Sequence, residues 1–259
     1  MVSTGFVNPK AFFKGFDPKD VEEGQYGRSL HFWDWCEHRL IQSVDLGPEG
    51  WMPLENRFLH EPTEAQGYVG CALSSTVFRY FKTPSGTWSA EKVIAIPNKK
   101  VEGWILPEMP SLVYDITDRR NPKLVGQVWL GGSICRNEGV RVTEDKELKE
   151  QPTRPRIKGK EISGAPQMLQ LSLDGTRLYV TTSLFSVWDK QFYPDLCKNG
   201  SMLLLVDVDT EIGGLKLNPD FVCDFGLEPG VQNNNRVIFT FDKGKEQDGP
   251  YGRFWVFGR

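Results

Sequence analysis

The chain has three histidines, His31, His38 and His60, on separate segments. His31 falls in the alternating run Leu30-His31-Phe32-Trp33, where period-two spacing turns it to the face opposite its neighbours. His38 follows Trp35 in a turn that meets solvent. His60 closes the strand pattern of residues 54–59 just before Glu61-Pro62. A histidine there can act as a ligand or base, or simply bond to backbone. It is the one residue retained as a candidate metal ligand. One imidazole does not hold catalytic copper or any other first-row metal, and spacing alone does not bring the other two to it. The five cysteines, Cys36, Cys71, Cys135, Cys197 and Cys223, include no Cys-x-x-Cys pair. That excludes a zinc knuckle and a thioredoxin-type redox pair. Their odd number and apolar settings such as Gly70-Cys71-Ala72-Leu73 indicate reduced, mostly buried thiols and a cytoplasmic protein.

Other chemistry-bearing patterns are sparse. There is no Gly-x-Ser-x-Gly elbow and no phosphate-cradling glycine loop. Gly131-Gly132-Ser133 follows a strand pattern, but no helix pattern opens after it to complete an anion nest. Glu144, Asp145 and Glu147 precede Gln151-Pro152 and read as a solvated loop or a short helix start, not as paired catalytic carboxylates. The basic stretch 154–160, RPRIKGK, is broken by Pro155 and Gly159 and reads as a solvated loop. Phe185, Trp188, Phe192 and Tyr193 crowd a long connection around Asp189-Lys190-Gln191. They either line a functional mouth or plug an irregular connection, and packing is the preferred reading. No catalytic residue is assigned. A net charge of −3 argues against a nucleic-acid surface. No apolar run approaches the roughly 20 residues needed to span a bilayer, and MVSTGFVNPKAFF lacks the charged and apolar regions of a signal peptide.

Short strands must position whatever chemistry exists. Residues 171–189, LSLDGTRLYVTTSLFSVWD, followed by 201–221, SMLLLVDVDTEIGGLKLNPDF, read as one four-stranded blade. A strand ends at Ser172-Leu173, Asp174-Gly175 turns, and residues 177–182 return. Residues 202–208 form a continuous apolar run suited to a buried third strand, and 216–225 form the fourth after Gly213-Gly214. The pattern apolar-Asp-apolar at a strand end recurs at Trp33-Asp34-Trp35, Tyr114-Asp115-Ile116 and Val206-Asp207-Val208. These aspartates lie 81 and 92 residues apart, near two blades each if a blade takes about 40–50 residues. β-rich chains also produce such triplets by chance, but the flanking turn chemistry recurs with them. With 26 glycines and 17 prolines in 259 residues and 12% aromatics, the chain suits many short strands and tight turns. Residues 17–23 and 145–151 are the best short helix candidates.

Longer segments carry a family resemblance. They are residues 21–35 (VEEGQYGRSLHFWDW), 53–75 (PLENRFLHEPTEAQGYVGCALSS), 86–110 (GTWSAEKVIAIPNKKVEGWILPEMP), 114–134 (YDITDRRNPKLVGQVWLGGSI) and 164–228, which includes PQMLQLSLDGTRLYVTTSLFSVWDKQFYPDL. Together they cover most of residues 1–230, and they resemble the selenium-binding protein family, whose members include methanethiol oxidases. The resemblance implies a seven-bladed β-propeller, a cytoplasmic location and binding of selenium through a reactive cysteine. It also implies copper-dependent conversion of methanethiol, oxygen and water to formaldehyde, hydrogen sulfide and hydrogen peroxide.

The chain departs from the family pattern in three places. It begins at what corresponds to the middle of the family chain, after the family's cysteine-rich selenium site and several of its histidines. Pro110 runs into Ser111-Leu112-Val113-Tyr114 where family members place two further strands. After about Pro229 the family's terminal segment is replaced by VQNNNRVIFTFDKGKEQDGPYGRFWVFGR, with a turn expected at 233–235 and a strand at 237–241.

The expected architecture is therefore all-β: a partial, open propeller of four-stranded blades over residues 1–230, one blade incomplete around 106–130, with a divergent tail at 231–259. The expected protein is a truncated isoform of the family that does not retain copper and lacks the active-site segments. Cys71 matches a family cysteine, but its strand setting keeps the thiol inert. The expected ligands are selenium or a small thiol, with no nucleic acid and no membrane span. The alternative is a non-catalytic propeller fragment that offers a surface to protein partners.

Overall fold

The computed structural model describes residues 1–59, 61, 63–102, 111–136, 138–227 and 254–257. The candidate ligand His60, residues 106–110 of the expected incomplete blade, and the expected turn 233–235 and strand 237–241 lie outside the described residues. The chain divides into two compact units, Met1–Asn98 with Ile116–Pro122, and Lys99–Asp115 with Lys123–Arg259.

The first unit opens with β1 (Val2–Val7), β2 (Tyr26–Asp34) and β3 (Arg39–Asp45), an antiparallel sheet in that order. Two short helices, α1 (Pro9–Lys14) and α2 (Pro18–Glu22), fill the β1–β2 connection. Each starts with a proline at its first turn, behind a capping side chain: Asn8 accepts the N–H of Lys10, and Asp17 that of Lys19. The helix expected at 17–23 is α2; α1 carried too short a period to be read. A second sheet follows, β4 (Pro53–Phe58), β5 (Gln66–Cys71), β6 (Thr76–Lys82) and β7 (Trp88–Ala95), paired in sequence order as a meander.

The two sheets share one core, in which Leu30, Phe32, Val69, Cys71, Phe78 and Tyr80 are buried. Phe32 stacks on Trp88 with ring centroids 4.2 Å apart. At the outer strands Gln42 of β3 acts as a surrogate strand residue. Its Nε2 donates to the Trp88 carbonyl at 2.8 Å, and its Oε1 accepts the Trp88 N–H at 2.7 Å.

In the second unit β8 (Lys100–Glu102) pairs with β11 (Arg141–Glu144), β9 (Ser111–Asp115) with β10 (Lys123–Val128), and β12 (Arg156–Ile157) with β13 (Lys160–Glu161). The largest sheet is β14 (Leu169–Leu171), β15 (Arg177–Thr181), β16 (Met202–Val208) and β17 (Leu215–Asp224), again a meander in sequence order. This is the blade read from residues 171–225. Asp174 closes its first turn, accepting from the Ser172 hydroxyl and the Thr176 N–H, and these bonds hold its carboxylate below the usual range. Six of the seven β16 residues are buried and only Asp207 is exposed, which explains an apolar run without alternation. Its core gathers Leu178, Val180, Met202, Leu204, Val206, Ile157, Ile162 and Leu130.

The β15–β16 connection holds α3 (Ser186–Phe192) and α4 (Pro194–Asn199). A final strand, β18 (Phe254–Phe257), lies on β9 and makes the order β10-β9-β18.

Two expectations need correction. Asp34 and Asp115 are two sheets apart in sequence, as the spacing predicts. Between β10 and β14, however, the described residues form only the short β11 and β12–β13 pairings, so the 92-residue interval does not hold a second full blade. Residues 145–151 form no helix. The Asp145 carboxylate accepts the N–H groups of Glu147 and Leu148, as at a helix start, but the segment turns away toward Pro152.

Candidate functional site

His31 lies on β2 between buried Leu30 and Phe32, and its Nδ1 is 2.9 Å from the Ser43 hydroxyl on β3. The alternation thus carries it to the sheet's other face, as read from sequence. His38 is exposed on the β2–β3 turn with φ at 49°, its ring 5.8 Å from that of Trp35. Among the described residues no group of three or more His, Cys, Asp or Glu side chains could hold a metal ion. The described donors therefore do not fit a copper centre, and no chemistry is derived through one.

The thiols divide by burial. Cys71 on β5 is 2% exposed, and burial pushes its thiol up to about 12 against the opposing hydrogen bond with Thr76. At neutral pH such a group is almost wholly protonated and a poor nucleophile. Cys135 is buried, Cys223 half-buried, and Cys36 is exposed on the β2–β3 turn. Asp34, at the strand end, accepts the N–H of Cys36 and of Glu37, which fixes the backbone that carries this thiol.

The densest charged constellation was not read from sequence as one. Lys99 Nζ donates to Asp145 Oδ1 at 2.8 Å and to Glu147 Oε2 at 2.6 Å, and it sits 5.6 Å from the Trp129 ring centroid. Lys99 and Asp145 are 10% exposed and Glu147 15%. The solvated-loop reading of Asp145 and Glu147 is therefore wrong, since a single ammonium draws both carboxylates in from solvent. Burial alone would raise the Asp145 carboxyl, but the Lys99 bond and two backbone N–H donors hold it below its usual range. Only Glu144 behaves as read, exposed and paired with Lys100.

The basic stretch behaves similarly. The Arg154 guanidinium donates to the Ile162 and Gly132 carbonyls and to Glu138, pinning three loop segments together. The Gly132 N–H is itself spent on the Gly164 carbonyl, so Gly131-Gly132 offers that donor to no anion.

The aromatic connection packs. Trp188 and Tyr193 are buried, and Tyr193 joins Ala165 and Leu196 in a small core. Within this connection Asp189 is 2% exposed. Burial raises its carboxyl to about 6, although the Ser183 hydroxyl at 2.6 Å and the Leu184 N–H at 3.5 Å favour the ionised form. These donors belong to the chain entering α3. The carboxylate therefore reaches back over the start of its own helix, and a serine hydroxyl donating to a buried carboxylate with no imidazole between them is a clamp, not an acyl-transfer triad.

Antiparallel meanders of up to four strands, joined by tight turns and carrying small loop cores, define an all-β protein built from propeller-type blades. The chain belongs to the 56kDa selenium binding protein family, whose sequence profile matches residues 1–117 and 113–239. It is 59% identical over 254 residues to a methanethiol oxidase of Xenopus tropicalis, covering 89% of this chain and 54% of that protein. It is 53% identical over 253 residues to a methanethiol oxidase of Homo sapiens, covering 88% of this chain and 53% of that protein. A crystal structure of a hypothetical selenium-binding protein from Sulfolobus tokodaii superposes with a TM-score of 0.70 at 31% identity, covering 87% of this chain and 52% of that one. The chain spans about half the length of the curated relatives it matches. No helix among the described residues is long and apolar enough to cross a membrane.

Proposed function

We propose that this chain is a selenium-binding family protein carrying part of a methanethiol oxidase scaffold, and that it does not by itself turn methanethiol over. The observation that carries this reading is a close match confined to about half of each relative: 53–59% identity over 53–54% of the relatives' length. A chain that keeps this much identity keeps the blade-forming pattern. Several of the described donors are engaged elsewhere: His31 with Ser43, Cys71 in the core, and Asp145 and Glu147 with Lys99. Copper binding and oxidation need several convergent ligands, and the sequence singles out His60 alone as a candidate.

The test is metal analysis of the purified chain after copper loading and desalting, together with a methanethiol assay that follows hydrogen sulfide release. The full-length Xenopus tropicalis relative serves as the comparison. Substoichiometric copper and no release above buffer are expected. One tightly held copper per chain, or turnover comparable with the relative, would overturn the proposal.

A further inference from the structure

The β9–β10 hairpin stands where the sequence offers only the last two strands of a blade, yet the described sheet has three strands. The third is β18, from beyond the residues that match the family. Its register is informative. In the complete blade the strand-end aspartate Asp207 of β16 faces Arg177, the first residue of β15, followed by Val206 with Leu178, Leu205 with Tyr179 and Leu204 with Val180. In the three-stranded sheet the corresponding Asp115 of β9 faces Phe254, the first residue of β18, followed by Tyr114 with Trp255, Val113 with Val256 and Leu112 with Phe257. Counted from the shared apolar-Asp-apolar motif, β18 and β15 occupy the same position, direction and register.

We propose that the free edge of β9 is a strand-acceptor site and that Phe254–Phe257 fills it within the same chain as a replacement second strand. The physical need is plain. Leu112, Val113 and Tyr114 are buried, so an open edge there would leave main-chain N–H and C=O groups of a core strand without partners. Phe-Trp-Val-Phe is a run of aromatic and β-branched residues, the composition that suits a pleated, half-buried surface. Main-chain bonds then supply affinity, as in other cases of strand addition. The site accepts an extended apolar peptide and discriminates against a segment containing proline, which cannot donate to the ladder.

The experiment uses the full chain and its Val256→Pro variant, with hydrogen exchange read at residues 112–115. The expected result is at least a tenfold loss of protection there in the variant, unchanged protection in β14–β17, and recovery on adding excess peptide YGRFWVFGR but not a scrambled peptide. Should the variant fail to fold, cross-strand nuclear Overhauser contacts between Tyr114 and Trp255 in the unmodified chain decide the matter, and their presence supports the proposal. Unchanged protection in a folded variant, no recovery with the peptide, or absence of those contacts would overturn it. A dimer in which mixed-isotope spectra place the contacts between copies would overturn the intramolecular assignment.

Discussion

Replacing Asp189 by asparagine should make the protein more stable at neutral pH, and the pH dependence should show why. The carboxyl is 2% exposed, and burial lifts it from 3.8 to about 6. Its folded value lies above its unfolded one. The stability it contributes is therefore fully present below about pH 4 and is lost as pH rises through about 6. A displacement of that size corresponds to about 3 kcal/mol. The amide introduced by Asp189→Asn carries no charge and keeps one acceptor for Ser183 or Leu184, but it loses the second, which costs about 1 kcal/mol. The net gain at pH 7.5 is about 2 kcal/mol, and at pH 4.5 the native chain is level with the variant or slightly ahead. Urea denaturation of both proteins at several pH values between 4.5 and 7.5 measures the difference directly, and the unfolding slopes show whether the two-state comparison holds. Two stability curves that run parallel across this range would refute the reasoning, because the carboxyl would then titrate alike in folded and unfolded chains.

Two further expectations rest on other sites. In the native chain a thiol reagent at pH 8 should modify Cys36 within minutes and leave Cys71 and Cys135 untouched until denaturant is added; mass mapping of the labelled peptides checks the order. Lys99→Met should cost about 3 kcal/mol by leaving Asp145 and Glu147 facing each other without a cation. The deficit should shrink as the pH falls toward 4, because a carboxylate raised by its neighbour is stabilising only when protonated, and a pH-independent deficit would mean that packing on Trp129, not charge, is what Lys99 supplies.

What the sequence discloses and what it hides follow from how far apart the partners lie. The blade of β14–β17 was legible because its signals are local: an Asp-Gly turn, then an apolar run long enough to be buried on both faces. The family match was legible because it extends over most of the chain. The Lys99 cluster was hidden because its partners stand 46 and 48 residues away, and nothing in Glu144–Glu147 marks which carboxylates turn inward. α3 and α4 have only seven and six residues, too few for a 3.6-residue period to emerge. β18 was missed although its four residues are all strand formers, because its partner β9 lies more than a hundred residues earlier.

The Gln42 amide has a consequence for how this protein behaves among other chains. Trp88 opens β7, the last strand of its sheet, and both of its main-chain groups are taken by the glutamine. A foreign strand approaching along β7 therefore finds its first rung already occupied and must begin pairing further down, where the register no longer matches the start of the strand. A single uncharged side chain thus closes the first rung of one sheet's rim while binding that sheet to its neighbour. Losing it would be felt first as crowding-dependent association, before any loss of fold.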